Sequence, residues 1–357
     1  MSFYFIIQDK FHDFIGEISH QLTVIAPQLS SKQPIQQSLL NKNQEFFSFE
    51  ILKHIKDLRL DYDTTILPPK KVFFPPQQVL LSFKEGHFKA ELNPKKMILF
   101  GVHLDDLLAI EQTDFLFREN YEDIHYTAQR NVTTIIGSNF QTVAPGAFWN
   151  SMNEKQPSKH DGFLTKLKDG YVYQVLTEKA QDLLQYGQFE KASKEQIVLA
   201  KEVNEQIKSK LNKQLDYKEK EIKQALEKSY ADLPFWDHLA KSCYACGSCN
   251  LVCPSCYCFN IEDHWHADQT SGARTRFWDS CMTEDFAKIS LGGGKSENFR
   301  DSPGSRMRHR MMRKMVYLND KLGSRACVGC GRCSTACTAN IADPVDIINQ
   351  VMEKYHD

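Results

Sequence analysis

The chain has 357 residues, 25% of them charged, and a formal net charge of −1 at pH 7. This length allows two or three domains, while the balanced charge offers no broad positive field for nucleic acid. No run of eighteen apolar residues is present, and the first residues lack the basic start and the cleavage site of a secretory signal. We therefore expect a cytoplasmic protein without a membrane span.

The first segment, residues 1–185, has the pattern of a mixed α/β domain. KMILFGVHL, from Lys96, and NVTTIIGSNF, from Asn131, are short and rich in β-formers, which predicts two buried strands. DDLLAIEQTDFLF, from Asp105, has helical spacing and an acidic start, which predicts a helix. This domain contains no cysteine, so we interpret it as a scaffold or docking domain.

Two proline pairs, Pro68-Pro69 and Pro75-Pro76, bracket the sequence KKVFF. Proline fixes its own backbone and restricts the residue before it. The pairs therefore predict extended backbone at KKVFF and exclude a helix.

The composition changes in residues 186–231, which are rich in Lys, Glu, Gln and Leu. This pattern predicts one or two exposed helices whose charges face solvent. The last segment, residues 232–357, is predicted to be an α-helical, ferredoxin-like domain. The fold class that follows is α+β.

All eleven cysteines lie between Cys243 and Cys337, and the first 242 residues have none. Structural disulfides would be spread more evenly, and they are rare in reducing compartments. This crowding favours metal ligation over disulfide bonds.

Eight of these cysteines form two runs with the spacing C-x2-C-x2-C-x3-C. They are Cys243, Cys246, Cys249 and Cys253, then Cys327, Cys330, Cys333 and Cys337. In bacterial ferredoxins with this spacing, the fourth cysteine of each run binds the other cluster. We therefore predict two [4Fe–4S] clusters. Cys337 completes the first with Cys243, Cys246 and Cys249, and Cys253 completes the second with Cys327, Cys330 and Cys333.

Zinc is the main alternative metal, but its sites use pairs of C-x2-C knuckles, and two triple runs exceed what four-coordinate zinc needs. Pro254 follows the first run as expected, whereas Thr338 follows the second where proline is usual. This departure makes the two runs less alike, but it does not change the predicted cysteine ligands.

Three thiols remain outside the two predicted sets: Cys256, Cys258 and Cys281. Cys256 or Cys258 could replace Cys253 as a ligand. Cys281 could join them or pack as a small apolar residue. Structural, ligand and redox roles all stay open for these three residues.

The segment RMRHRMMRKM, Arg306–Met315, concentrates positive charge. Cations lower the cost of burying an anionic cluster and raise its potential. No aromatic residues alternate with these arginines, which disfavours nucleic-acid binding. We expect a helix that packs against the clusters or a partner subunit.

Four segments of the second half follow one another in a distinctive order. They are CYACGSCNLVCPSCYC from Cys243, RFWDSCM from Arg276, then GGGKSENFRDSPGSRMRHRMMRKM, and last ACVGCGRCSTAC from Ala326. The chain resembles the beta, iron–sulfur subunit of cytoplasmic NiFe sulfhydrogenases and the related dicluster iron–sulfur subunit of anaerobic sulfite reductase. The resemblance is strong after Trp236. Before it, DTTILPPKKVFFPPQQVLLSF and ILFGVHLDDLLAI resemble the hydrogenase subunit more closely.

This resemblance implies an electron-transfer subunit. Its partners would be a subunit that binds flavin and NAD(P)H and a subunit that carries the catalytic metal, either of the NiFe hydrogenase or of the sulfite reductase type. No substrate binds a cluster whose irons all carry protein thiolates, so we expect no turnover by the isolated chain beyond electron exchange. The alternative is a stand-alone thiol or iron–sulfur reductase that uses Cys256, Cys258 and Cys281.

The family resemblance also implies a third cluster in the N-terminal domain. Its cysteines would fall in the stretches that here read GVHLDDLLAI and IGSNFQTVAPGAFWNSM, and neither stretch has a cysteine. Leu104 and Asn139 lie near the expected positions. We therefore expect that this third cluster is absent.

Overall fold

A computed structural model describes residues 2–31, 45–152 and 156–356. They divide into two units. The first unit comprises Met1–Phe73, Asn93–Ala147 and Lys155–Asn212, and the second comprises Phe74–Leu92, Phe148–Glu154 and Lys213–Asp357. Both sheets and helices are present, as the sequence predicts. The division into residues 1–185, 186–231 and 232–357 stays a prediction.

The strands of the described residues, in chain order, are β1 (Ser2–Ile7), β2 (Thr23–Leu29), β3 (Phe47–Ile51), β4 (Gln77–Lys84), β5 (His87–Ala90), β6 (Met97–Val102), β7 (Thr133–Ser138), β8 (Gly162–Lys166), β9 (Gly170–Val175), β10 (Glu190–Lys191), β11 (Phe259–Trp265), β12 (Ser271–Trp278), β13 (Lys288–Gly292) and β14 (Lys295–Asn298). The helices are α1 (Gln8–Gln21), α2 (Leu104–Leu116), α3 (Ile124–Val132), α4 (Glu178–Gln181), α5 (Lys194–Gln206), α6 (Glu219–Ser229), α7 (Leu233–Leu239), α8 (Ser248–Leu251), α9 (Pro303–Met312), α10 (Asn319–Leu322), α11 (Arg332–Ala336) and α12 (Pro344–Tyr355). None of the described helices is both long enough and apolar enough to cross a membrane.

A mixed sheet organises the first unit, with the strand order β10-β1-β9-β8-β7-β6-β2-β3. The pairs β2–β6, β6–β7 and β7–β8 are parallel. Strands β6 and β7 lie inside this parallel part and are buried almost throughout, because a parallel strand is covered on both faces. Both strands predicted from these stretches are confirmed.

Helix α1 buries one face, with Phe11, Phe14 and Ile18, in the core of the first unit. Helix α2 confirms the helix predicted from Asp105, and it is buried from Asp105 to Asp114. The exclusion of a helix at KKVFF is wrong, since Pro69–Val72 forms a short 3-10 helix. Proline suits the first helical position, because the amide hydrogen it lacks would have no partner there.

The charged segment, residues 186–231, contains α5 in the first unit and α6 in the second. Ser193 begins α5 with a capping box, in which its hydroxyl accepts from the Gln196 amide at 3.2 Å. Most side chains of α5 are exposed, so the predicted exposed helix is confirmed.

The second unit combines a four-stranded sheet, in the order β11-β12-β4-β5, with the hairpin β13–β14 and a helical core. The prediction of an α-helical C-terminal domain missed the four strands between Phe259 and Asn298. Trp236, Met311 and Ile348 are fully or almost fully buried in the core, and two run cysteines, Cys249 and Cys333, belong to the same core. Cysteines of both runs are thus part of the packing.

Candidate metal centres

The first cysteine run winds into a tight loop after α7. The Cys243 amide donates to the Ala240 carbonyl at 2.8 Å, which starts the turn. Ala245 and Gly247 both have left-handed backbone, with φ of 53° and 76°. This geometry lets the Ala245 amide donate to Cys243 Sγ at 3.4 Å, and such bonds to a ligand sulfur tune a bound metal.

The second run repeats this conformation. Gly329 and Gly331 stand at the positions of Ala245 and Gly247, with φ of 71° and 78°. The Gly329 amide bonds to the sulfur of Cys327, as Ala245 does to Cys243. Helix α11 begins after Gly331, as α8 begins after Gly247. Equal spacing in the sequence therefore gives equal backbone geometry.

Each loop forms part of a cavity, and each cavity draws its cysteines from both runs. The first cavity is lined by Cys243, Cys246, Cys249 and Cys337, and the second by Cys327, Cys330, Cys333 and Cys253. Each cavity therefore takes three cysteines from one run and the last cysteine of the other. Cys256 and Cys258 line neither cavity, whereas Cys253 lines the second.

The donor set and the walls of both cavities fit a [4Fe–4S] cluster. Four thiols surround each cavity, and each thiol binds a different iron of such a cluster. Met282, Met307 and Ile341 help to line the first cavity, and Met311 and Met315 help to line the second. Among the described residues, no three His, Cys, Asp or Glu side chains converge tightly enough to hold a single metal ion.

Burial disfavours the charged form of several run cysteines. It raises the pKa of Cys249 and of Cys327 to about 12, with neighbouring thiols adding to the effect. Burial also raises the pKa of Cys333. Since metals bind the thiolate, loading must release these protons, and metal binding is coupled to pH.

Two buried cations lie at the cavities, and both come from the Arg306–Met315 segment. Arg310 lines both cavities and is 4% exposed, while Lys314 lines the second and donates to Ser255 Oγ at 2.8 Å. Burial alone would lower the pKa of each cation, but the nearby sulfurs outweigh it and raise both pKa values. The prediction of a cationic helix beside the cysteine sites is confirmed.

A polar chain that the sequence reasoning missed connects Arg310 to the remaining thiols. Arg310 Nε donates to Asn250 Oδ1 at 3.2 Å, and Asn250 Nδ2 donates to Cys281 Sγ at 3.0 Å. Cys281 in turn shares a hydrogen bond with Cys258. Cys256 instead shares a hydrogen bond with Cys253. The position of Asn250 directly after Cys249 was the only signal in the sequence.

Comparison with known proteins supports the nature of these centres. A family model described as a 4Fe-4S dicluster domain matches residues 242–341, which include both cysteine runs. No solved structure gives a significant match. The sulfhydrogenase 2 subunit beta of Pyrococcus furiosus is 30% identical over 321 residues, which cover 87% of this chain and 91% of that protein.

The chain belongs to the sulfhydrogenase beta subunit family. As a member of this family with a 4Fe-4S dicluster domain, it is an iron–sulfur electron-transfer subunit. The resemblance drawn from the cysteine runs and their spacers is thereby confirmed. The match also covers most of the first unit, which has no cysteine.

The two stretches of the first unit that lack the expected thiols are filled by packed side chains. Leu104 begins α2, and His103 before it stacks on Tyr62 with ring centroids 3.9 Å apart. Asn139 is buried, and its Oδ1 accepts from the Lys166 amide at 2.9 Å. Asn139 Nδ2 donates to the Phe140 carbonyl at 3.2 Å. A hydrogen-bonded amide thus occupies the position near which a thiol was expected.

Proposed function

We propose that this chain holds two [4Fe–4S] clusters and relays electrons within a larger oxidoreductase. Cys243, Cys246, Cys249 and Cys337 would hold the first cluster, and Cys327, Cys330, Cys333 and Cys253 the second. The observation that carries this proposal is the division of the eight run cysteines into two cavities of four. When bound, each cluster supplies a reversible one-electron exchange.

The side chains around the cavities have distinct tasks in this role. Arg310 and Lys314 offset the negative charge of the thiolates, which would otherwise be costly to bury. The methionines of the walls exclude water, and the amides of Ala245 and Gly329 bond to ligand sulfurs. Each proposed cluster has four cysteine ligands among the described residues, so none of its irons has an open position for a substrate. We therefore propose electron transfer without catalysis by this chain.

We further propose that its partners are a subunit that binds flavin and NAD(P)H and a subunit with the catalytic metal site. The support is the similarity to a subunit named sulfhydrogenase 2 beta, which is one part of a complex. We place the protein in the cytoplasm, because clustered free thiols suit a reducing compartment. The balanced net charge gives no support to nucleic acid as a partner.

Paired substitutions test both the metal content and the exchange of ligands between the runs. We expect anaerobically reconstituted protein to hold about eight irons per chain, four for each cluster. Cys249→Ser combined with Cys337→Ser should lose only one cluster, because both residues line the first cavity. Cys333→Ser combined with Cys337→Ser should lose both, since these residues line different cavities.

The readouts are iron content and the electron paramagnetic resonance spectrum of the reduced protein. Cys256→Ser is the matched control and should keep about eight irons, since Cys256 lines neither cavity. Loss of only one cluster from the Cys333–Cys337 pair would contradict the ligand exchange. Zinc in place of iron would contradict the proposal itself.

A further inference from the structure

The end of the β11–β12 ladder brings Cys258 and Cys281 together. Phe259, the first residue of β11, pairs with Trp278, the last residue of β12. The pairing continues one step further, where the Asp279 amide donates to the Cys258 carbonyl at 3.0 Å. Cys281 follows two residues later, and the two sulfurs share a hydrogen bond. The backbone thus holds two thiols side by side that lie far apart in the sequence.

These two thiols are separate from the proposed ligand sets but are connected to the cavities. Neither lines either of the two cysteine cavities, whereas Met282, directly after Cys281, lines the first. The hydrogen bonds from Arg310 to Asn250 and from Asn250 to Cys281 link the pair to the cation that lines both cavities.

The surroundings of the pair distinguish its two sulfurs. The hydrogen bond from Cys258 is the main cause that lowers the pKa of Cys281, and the Asn250 amide and the charges of Arg310 and Lys314 act in the same direction against burial. The shared hydrogen bond and burial raise the pKa of Cys258. Within the pair, Cys281 is therefore the sulfur that more readily carries the negative charge, and Cys258 is the one that donates the hydrogen bond to it.

We propose that Cys258 and Cys281 form a redox-active dithiol that closes to a disulfide by exchange with a low-molecular-weight disulfide. A thiolate attacks a disulfide through a mixed intermediate, and a neighbouring thiol resolves it. A small disulfide is the substrate class because Cys281 is only 7% exposed and Cys258 is half-buried. A disulfide on the surface of a folded protein could not approach Cys281.

The exchange balances with glutathione disulfide as the probe. Cys281 thiolate attacks one glutathione sulfur, forms the mixed disulfide and releases the other glutathione as a thiolate. Cys258 then attacks the Cys281 sulfur, its proton passes to the leaving glutathione, and the protein disulfide closes. The two cysteine sulfurs lose two electrons, and glutathione disulfide gains them as two glutathione thiols, one of them ionised.

The test uses the full chain, loaded with iron, in anaerobic buffers of reduced and oxidised glutathione. After trapping with N-ethylmaleimide and digestion, mass spectrometry should find Cys258 linked to Cys281 in oxidising buffer, and free thiols in reducing buffer. Cys256→Ser is the matched control, because it removes the neighbouring thiol and should keep this cross-link.

Single substitutions test the two roles. Cys258→Ser should trap glutathione on Cys281, with at least tenfold more adduct than Cys281→Ser traps on Cys258. Iron content should not change in either variant, since the pair is not a ligand. No cross-link at any buffer ratio, equal adducts in both variants, or iron loss in either would overturn the proposal. If these variants lost iron while the wild type still loaded about eight irons, the dithiol proposal would fail and the two-cluster proposal would stand.

Discussion

Arg310 is the residue that the linings of the two cavities share. Its guanidinium lines both cavities, donates to Asn250, and is almost completely buried. A buried cation beside an anionic group is stabilised only if the opposite charge stays in place. Replacement of Arg310 should therefore change the properties of both proposed clusters.

Arg310→Met should lower the midpoint potentials of both clusters, because the reduced state of each carries more negative charge. At an effective dielectric near 20, the lost attraction is roughly 1–2 kcal/mol, which corresponds to about 40–90 mV for one electron. A potentiometric titration followed by electron paramagnetic resonance measures both shifts.

Arg308 supplies the control for this experiment from the same helix. It is directed to Tyr230, whose ring it covers at 4.2 Å and whose carbonyl it bonds, and it lines neither cavity. Arg308→Met should leave both potentials within about 20 mV of the wild type, because a solvated charge is strongly screened. Equal shifts in the two variants would contradict a specific role for Arg310.

His160 makes the first unit sensitive to acid. Burial lowers its pKa from 6.5 to about 4, and its Nδ1 has no hydrogen-bond partner among the described residues. Between pH 6.5 and 4 the unfolded chain therefore binds a proton that the folded chain does not, so stability falls as pH falls through this window. The full loss is roughly 2–3 kcal/mol.

His160→Phe should remove this part of the acid sensitivity while keeping an aromatic ring beside Phe163, 5.9 Å away. Hydrogen–deuterium exchange of β8 at pH 7 and pH 5 measures the effect locally. Exchange in the variant should accelerate less on acidification than in the wild type. An unchanged pH response would show that His160 is not the group responsible.

At the scale of the elements, the two ligand loops have the same backbone but different surroundings. Ala245 shows that a residue with a Cβ can occupy the first left-handed position of such a loop. At Gly329, the corresponding position of the second loop, a Cβ would lie 2.5 Å from Trp149 Cα. The close approach of Trp149 therefore requires glycine there, in addition to the strain that the positive φ of 71° would impose on a side chain.

Gly329→Ala should displace the second loop and lose about half of the bound iron, because the backbone of Trp149 cannot yield to a methyl group. Gly323→Ala is the control, since Gly323 has φ of 63° but nothing within 4 Å of the added Cβ. It should lose only about 1 kcal/mol of stability and keep its iron. Iron content and thermal unfolding distinguish the two variants, and equal iron in both would refute this explanation.

The elements also show how far the sequence could lead. Spacing within each run is a local feature, so it indicated the two loops. The division of their cysteines into two ligand sets stays a prediction, although each cavity is lined by one of these sets. The strands of KMILFGVHL and NVTTIIGSNF followed from short buried patterns in the same way. Strand β11 was missed because all its side chains are exposed and Asp263 interrupts the alternation of Phe259, Ile261 and Trp265. The Asn250–Cys281 bond joins residues 31 positions apart, and no local pattern encodes such a contact.

At the scale of the whole molecule, we expect the two units to differ in their dependence on metal. The core of the second unit contains Cys249 and Cys333, with Cys243, Cys327 and Cys337 packed against it. The core of the first unit contains no cysteine and is built from residues such as Phe14, Ile136 and Leu164. Metal that binds only folded protein contributes its binding free energy to folding.

Removal of iron by a chelator under reducing conditions should therefore loosen the second unit and leave the first intact. We expect hydrogen–deuterium exchange in α9 and α12 to accelerate by at least tenfold, and exchange in β6 and β7 to stay within about twofold. Equal acceleration in all four elements would contradict the independence of the first unit from the metal.

The last cysteine of each run lines the cavity of the other run, and this has a consequence during protein synthesis. A nascent chain that has left the ribosome only as far as the first run has no residue at the place of Cys337, so its first cavity lacks a wall. Assembly of both proposed clusters would then wait for the same late stretch of polypeptide. A chain that ends before this stretch would carry three of the four cysteines of the first cavity and only one of the four of the second, so neither set would be complete.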